Sequence, residues 1–99
     1  MKSFVDSAGR SFVQCRKCDW AVVLLPDSLS RRKQEFATIV REDPVHGMRY
    51  AAEYFLLDTA ESKVLALHIA RERGACNRCH KHLQGSESVC SCGSVNFDW

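Results

Sequence analysis

Residues 74–94 read GACNRCHKHLQGSESVCSCGS, with Cys76 and Cys79 as one close pair and Cys90 and Cys92 as a second. Two such pairs joined by a short loop, 80–89, suit a tetrahedral thiolate site. A tight chelate turn presents two sulfurs to one side of an ion, and the other pair closes the opposite side. All six cysteines of the chain occur this way, as CRKC (Cys15 and Cys18), CNRC and CSC. Disulfides need no such pairing. Residues 1–14 also lack the continuous apolar core of an export signal, so the cysteines read as metal ligands in a reducing, cytoplasmic setting.

A chain of 99 residues fits one compact domain, 1–99, and buries only roughly 60–65% of its unfolded surface. A metal staple therefore adds stability that the core alone supplies sparingly. The apolar content of 45% and charged content of 26% argue for a folded protein. A net charge of +2 is too small to imply a polyanion partner by itself. The longest apolar run, AVVLLP at 21–26, is far too short to cross a bilayer, so no membrane partner is expected.

Outward from the cysteines, the chain divides into three segments. Residues 1–25 are rich in β-branched and aromatic side chains. Ala8-Gly9 predicts a turn between strands at 3–5 and 11–14, and CRKC a second turn leading into a strand at 20–25. Residues 27–73 have helical period. Ser28 is expected to cap a helix carrying Leu29, Phe36, Ile39 and Val40, which Pro44 ends. Met48, Ala51, Ala52, Phe55 and Leu56 mark the apolar face of a second helix. Asp58 with Glu61 reads as a capping box opening a third helix, with Gly74 at its C′ position. Residues 74–99 are short, polar, cysteine-bearing turns. The expected fold class is α+β: an N-terminal hairpin with a cysteine knuckle, three central helices and a C-terminal metal-bound unit.

The CxxC and CxCG pairs of residues 74–97 resemble a zinc ribbon, in which two cysteine-bearing turns face each other across one Zn²⁺. The resemblance covers about a quarter of the chain and identifies no particular family. It implies a structural Zn²⁺ held by Cys76, Cys79, Cys90 and Cys92. Gly93 fits the pattern, while His80 stands where a glycine is usual and the second pair is spaced by one residue. Residues 12–20, FVQCRKCDW, resemble half of such a ribbon, again with Asp19 in place of glycine.

Cys15 and Cys18 need further ligands to make a second zinc site. His68, one turn after Val64 and Leu65, points to the apolar interior and is the first candidate. A hydrogen-bonded core histidine is the competing reading. His46 is the candidate fourth ligand, and Glu72, one turn beyond His68, is its rival. An alternative groups Cys15, Cys18, Cys76 and Cys79, leaving Cys90 and Cys92 to recruit His80 or His82. The local assignment is preferred because closing a short loop costs less entropy than closing the long one, 19–75.

No H-E-x-x-H, G-x-S-x-G, deaminase pattern or phosphate-cradling glycine loop is present, and no motif points to a small-molecule substrate. These absences argue against an enzyme. The expectation is a non-enzymatic zinc-binding accessory or regulatory protein that contacts DNA or RNA. Arg16 and Lys17 on the first knuckle and Arg31, Arg32 and Lys33 on the first helix are its candidate phosphate contacts. The competing reading for the helix run is a solvated outer face. An adaptor that docks on another protein is the second functional reading. A metalloenzyme using Cys15, Cys18 and His68, with Glu72 as base, is the third.

Overall fold

The computed structural model describes residues 3–99 and has α+β architecture. Strands β1 (Ser3–Val5), β2 (Ser11–Gln14) and β3 (Ala21–Leu24) form an antiparallel sheet in that order, with Phe4 opposite Phe12 and Val13 opposite Val22. The first turn closes because Asp6 Oδ1 accepts the N–H groups of Ala8 and Arg10, and Gly9 supplies the positive φ of 84°. The second turn is the CRKC knuckle itself. Both faces of β2 are covered: Val13 is buried in the core, while Phe12 stacks on Phe4 at 5.6 Å on the other side.

A single 3₁₀ turn, Asp27–Leu29, precedes helix α1 (Ser30–Glu42). Ser28 lies within that turn and is not the cap. The turn closes through Leu29 N–H to Pro26 O, and Ser30 Oγ donates to Asp27 O. Pro44 both ends α1 and starts α2 (Pro44–Tyr54) at its first position. A residue before proline avoids the helical region, and Asp43 accordingly adopts φ −150°, ψ 100°. Its carboxylate then accepts from Val45 and His46 N–H, so one residue terminates one helix and caps the next. Leu56, at φ 54°, turns the chain after α2 and stops it short of residue 58.

Helix α3 (Thr59–Leu67) opens with the expected capping box between Asp58 and Glu61. It ends well before Gly74, which corrects the expected length. The cause is strand β5 (Val95–Phe97), which pairs with β4 (Glu87–Val89) and also captures the chain after α3. Phe97 N–H donates to His68 O at 2.8 Å, and Ala70 N–H donates to Phe97 O at 2.9 Å. His68 and Ile69 N–H still reach back to Leu65 O and Ala66 O as a tightened last turn, and the strand bonds take over from there. Gly74 instead supplies a turn at φ 79° that feeds the CNRC knuckle.

Phe36 is fully buried, with its ring 5.5 Å from Phe55 and 6.3 Å from Trp99. Phe97 stacks on Trp99 at 4.7 Å, so the C-terminal segment is part of the same core as β2, β3 and the helices. Helices α1 and α2 approach closely at Gly47. A Cβ there would collide with Val40 Cγ2 and lie 3.1 Å from Val40 Cα. Gly47→Ala is therefore expected to destabilise the fold by about 1–3 kcal/mol in urea denaturation. The gain of roughly 1 kcal/mol in helix propensity is too small to offset the overlap.

Candidate metal centres

The C-terminal centre is built from two knuckles that meet. Cys76 and Cys79 lie in the turn after Gly74, Cys90 follows β4 and Cys92 precedes β5. One ligand atom from each of the four lies within 4.8 Å of the others. Cys76 Sγ is 3.8 Å from Cys92 Sγ, and Cys79 Sγ is 3.3 Å from Cys90 Sγ. A tetrahedron with metal–sulfur bonds of about 2.3 Å has edges of about 3.8 Å, so these spacings fit an ion. They are far beyond the roughly 2.05 Å of a disulfide. The four cysteines can hold a metal ion.

The crowding of the four sulfurs divides their acidities. Burial pushes the Cys76 thiol up, but the N–H groups of Cys79 and Arg78 and the Asn96 amide outweigh it and bring it down to about 6. The Lys81 N–H pulls the Cys79 thiol down, yet the crowded sulfurs of Cys90, Cys76 and Cys92 push it up to about 11. Four sulfurs so close cannot all ionise without a cation among them. A divalent ion removes that repulsion and displaces the remaining protons.

The departures from glycine do not change the turns. Asp19, His80 and Gly93, each immediately after the second cysteine of its pair, have φ of 62°, 64° and 97°. Asp19 N–H returns to Cys15 O, His80 N–H to Cys76 O and Gly93 N–H to Cys90 O. All three turns thus end in a left-handed residue whatever side chain it carries, although the CSC turn is one residue shorter and closes on the residue three back, not four.

A second centre brings Cys15, Cys18 and His68 together, again with ligand atoms within 4.8 Å. The CRKC turn between β2 and β3 supplies the sulfurs, and His68 caps the C-terminus of α3. His68 is only 6% exposed, and its Nδ1 lies 2.6 Å from Val64 O. That carbonyl accepts a proton carried on Nδ1. Nε2 is left with its lone pair toward Cys18 Sγ, 3.4 Å away, the arrangement of a metal-ligating imidazole with its outer partner. Burial pushes the Cys15 thiol up, but the N–H groups of Val95, Cys18 and Lys17 bring it down to about 6. The Cys18 thiol is raised by burial and by Cys15, against the Trp20 N–H. This trio can also hold a metal ion.

His46 does not join it: the residue is exposed in the first turn of α2, which Pro44 begins earlier than expected. Glu72, His80 and His82 are likewise exposed and outside both clusters. The alternative grouping of Cys15 and Cys18 with Cys76 and Cys79 is not the arrangement found. Among the basic candidates, Arg16, Lys17, Arg31 and Arg32 are exposed. Arg32 lies 4.1 Å over the Tyr54 ring. Lys33 is turned inward, with Nζ 2.9 Å from Glu87 Oε2 and 5.3 Å from the Trp99 ring. The spacing 29, 33, 36, 40 puts Lys33 on the apolar stripe of α1, a signal legible in the sequence.

Sequence reasoning missed Asn96, which is fully buried in β5. Its Nδ2 donates to Cys76 Sγ at 3.3 Å, and its Oδ1 accepts from Asn77 N–H at 3.0 Å. No spacing rule marks such a residue, because it reaches the metal centre through the fold. Asn96→Ala leaves the Asn77 N–H without that acceptor and removes a donor to sulfur. The variant is expected to bind metal about 10–100-fold more weakly in chelator competition.

Beside the second centre is a cavity of about 420 Å³, lined by all three of its ligands with Trp20, Arg71 and Arg78. Trp20 is 46% exposed. No helix among the described residues is long and apolar enough to cross a membrane. Comparisons of the chain with protein-family models, with curated proteins and with solved structures find no match.

Proposed function

We propose that this is a small, non-enzymatic zinc-binding accessory or regulatory protein that binds single-stranded nucleic acid with its knuckle face. Zinc is the ion because sulfur and sulfur/nitrogen donor sets select it over harder divalent cations. At the four-cysteine centre it holds the C-terminal segment to the core and performs no chemistry. The carrying observation is the grouping of exposed Trp20 with Arg71 and Arg78 around one cavity. Arg16 and Lys17, exposed on the adjoining CRKC turn, extend the same positive surface. An aromatic platform among cations is what a single strand uses, since bases stack on the ring while phosphates meet the charges.

Arg31 and Arg32 on α1 are secondary in this reading, because the Arg32 guanidinium is engaged with Tyr54 and Tyr50. Fluorescence anisotropy of zinc-loaded protein with labelled single- and double-stranded DNA and RNA, at several salt concentrations, tests the proposal. Single-strand binding is expected, with a log–log salt slope near −3, as about four phosphate contacts give. Trp20→Ala/Arg78→Glu should abolish it, while Arg31→Glu/Arg32→Glu should retain most of it. Absence of binding at low salt contradicts the reading and favours docking on another protein.

A further inference from the structure

We infer that the metal ion held by Cys15, Cys18 and His68 takes its fourth ligand from outside the chain, and that this ligand is an oxyanion, a phosphate or carboxylate group. The inference rests on zinc occupying this trio but not on the nucleic-acid reading. Three observations carry it.

The first is the donor count. Three His, Cys, Asp or Glu donors cluster here and four at the C-terminal centre, among the described residues. His46 and Glu72, the side chains nearest to expectation as a fourth ligand, are exposed and outside the cluster. A three-ligand tetrahedral ion leaves one position for an exogenous ligand, as closed four-thiolate sites do not.

The second is access. The cavity of about 420 Å³ reaches Cys15, Cys18 and His68 at once. An oxyanion of four or five heavy atoms fits that space with room for solvent.

The third is charge. At the C-terminal centre four thiolates outweigh a divalent ion. Here two thiolates only cancel it, since His68 is a neutral ligand. Arg71 and Arg78 also line the cavity, and neither has an ion-pair partner among the described residues. Both arginines are exposed, so their guanidinium groups are free to meet an anion bound there, which an uncharged ligand would not engage. A guanidinium fork matches the paired oxygens of phosphate and carboxylate, so an anion bonded through one oxygen can present the others to arginine. A thiolate ligand would satisfy the charge but not those donors.

Cobalt(II) in place of zinc makes the prediction visible, because its d–d bands change when a ligand is exchanged. The full-length protein is loaded with cobalt, its stoichiometry is measured, and the bands are titrated with inorganic phosphate and, separately, acetate. Chloride at matched ionic strength is the control. Two bound ions are expected, with a saturable spectral change for phosphate, acetate or both that chloride does not reproduce. The two titrations distinguish which group the site prefers. Arg71→Ala/Arg78→Ala should keep two ions and weaken anion binding at least about tenfold, the equivalent of one charge-assisted hydrogen bond. The change should be absent from His68→Asn, which keeps the four-cysteine ion.

Two bound ions with a spectrum indifferent to both anions would overturn the inference while leaving zinc binding intact. Anion binding unaltered in the double arginine variant would overturn the charge argument and, with it, the assigned ligand class. A single bound cobalt would remove the zinc reading of the trio and the inference together.

Discussion

Cys76→Ser is expected to unfold the C-terminal segment and, with it, much of the core. Cys76 is buried and is the sulfur that Asn96 Nδ2 and Arg78 N–H both address. Without it the remaining three cysteines no longer close the site. Structural zinc contributes apparent binding free energies of about 10–16 kcal/mol in small zinc domains. Net stabilities of folded domains are only about 5–15 kcal/mol. A zinc ion held there would therefore contribute enough to decide whether residues 74–99 fold. Because Trp99 packs against Phe36 and stacks on Phe97, the loss spreads beyond the ribbon.

Tryptophan fluorescence reads this directly. Trp99 is buried and Trp20 is exposed, so a red shift on metal removal reports Trp99. In a Trp20→Phe background the shift should appear on chelation and in Cys76→Ser, and reverse on adding zinc to the chelated parent. An unshifted spectrum after complete metal removal would show that the core holds residues 74–99 unaided.

The second large effect is at His68. His68→Ala and His68→Asn are each expected to lose one of two ions while retaining the other. Asn keeps a donor near the Val64 carbonyl but offers no Nε2, so it separates ligation from the loss of that hydrogen bond. Affinity at the second centre should fall by more than the 10–100-fold typical of removing an outer partner, because a ligand itself is gone. The three-stranded sheet should persist in both variants, since Val13 and Val22 stay buried in the core together with Cys15, which neither variant changes. Retention of two ions in both would return His68 to the role of a hydrogen-bonded core residue.

Much of the fold is legible from local pattern. The cysteine pairs define the knuckles because chelation imposes its own spacing. The capping box at Asp58 is legible because N-terminal donors are satisfied by residues three apart. His68 can be suspected from its place one turn after Val64 and Leu65. The features that escape depend on distant parts of the chain meeting. Helix α3 stops at Leu67 because β5 captures His68 and Ala70, and nothing near residue 68 announces that. Asn96 is reached the same way. Pro44 reads from the sequence as a stop alone, although Asp43 before it also caps helix α2. Lys33 shows a different failure: charge suggests solvent, whereas its helical position and Glu87 draw it inward.

The geometry can hold two metal ions in separate centres, one with four cysteines and one with Cys15, Cys18 and His68. Native mass spectrometry of zinc-loaded protein is the shortest route to a decision. Two zinc ions are expected in the parent and one in Cys15→Ser/Cys18→Ser. A parent that carries a single zinc ion, unchanged in that variant, would refute the two-centre arrangement.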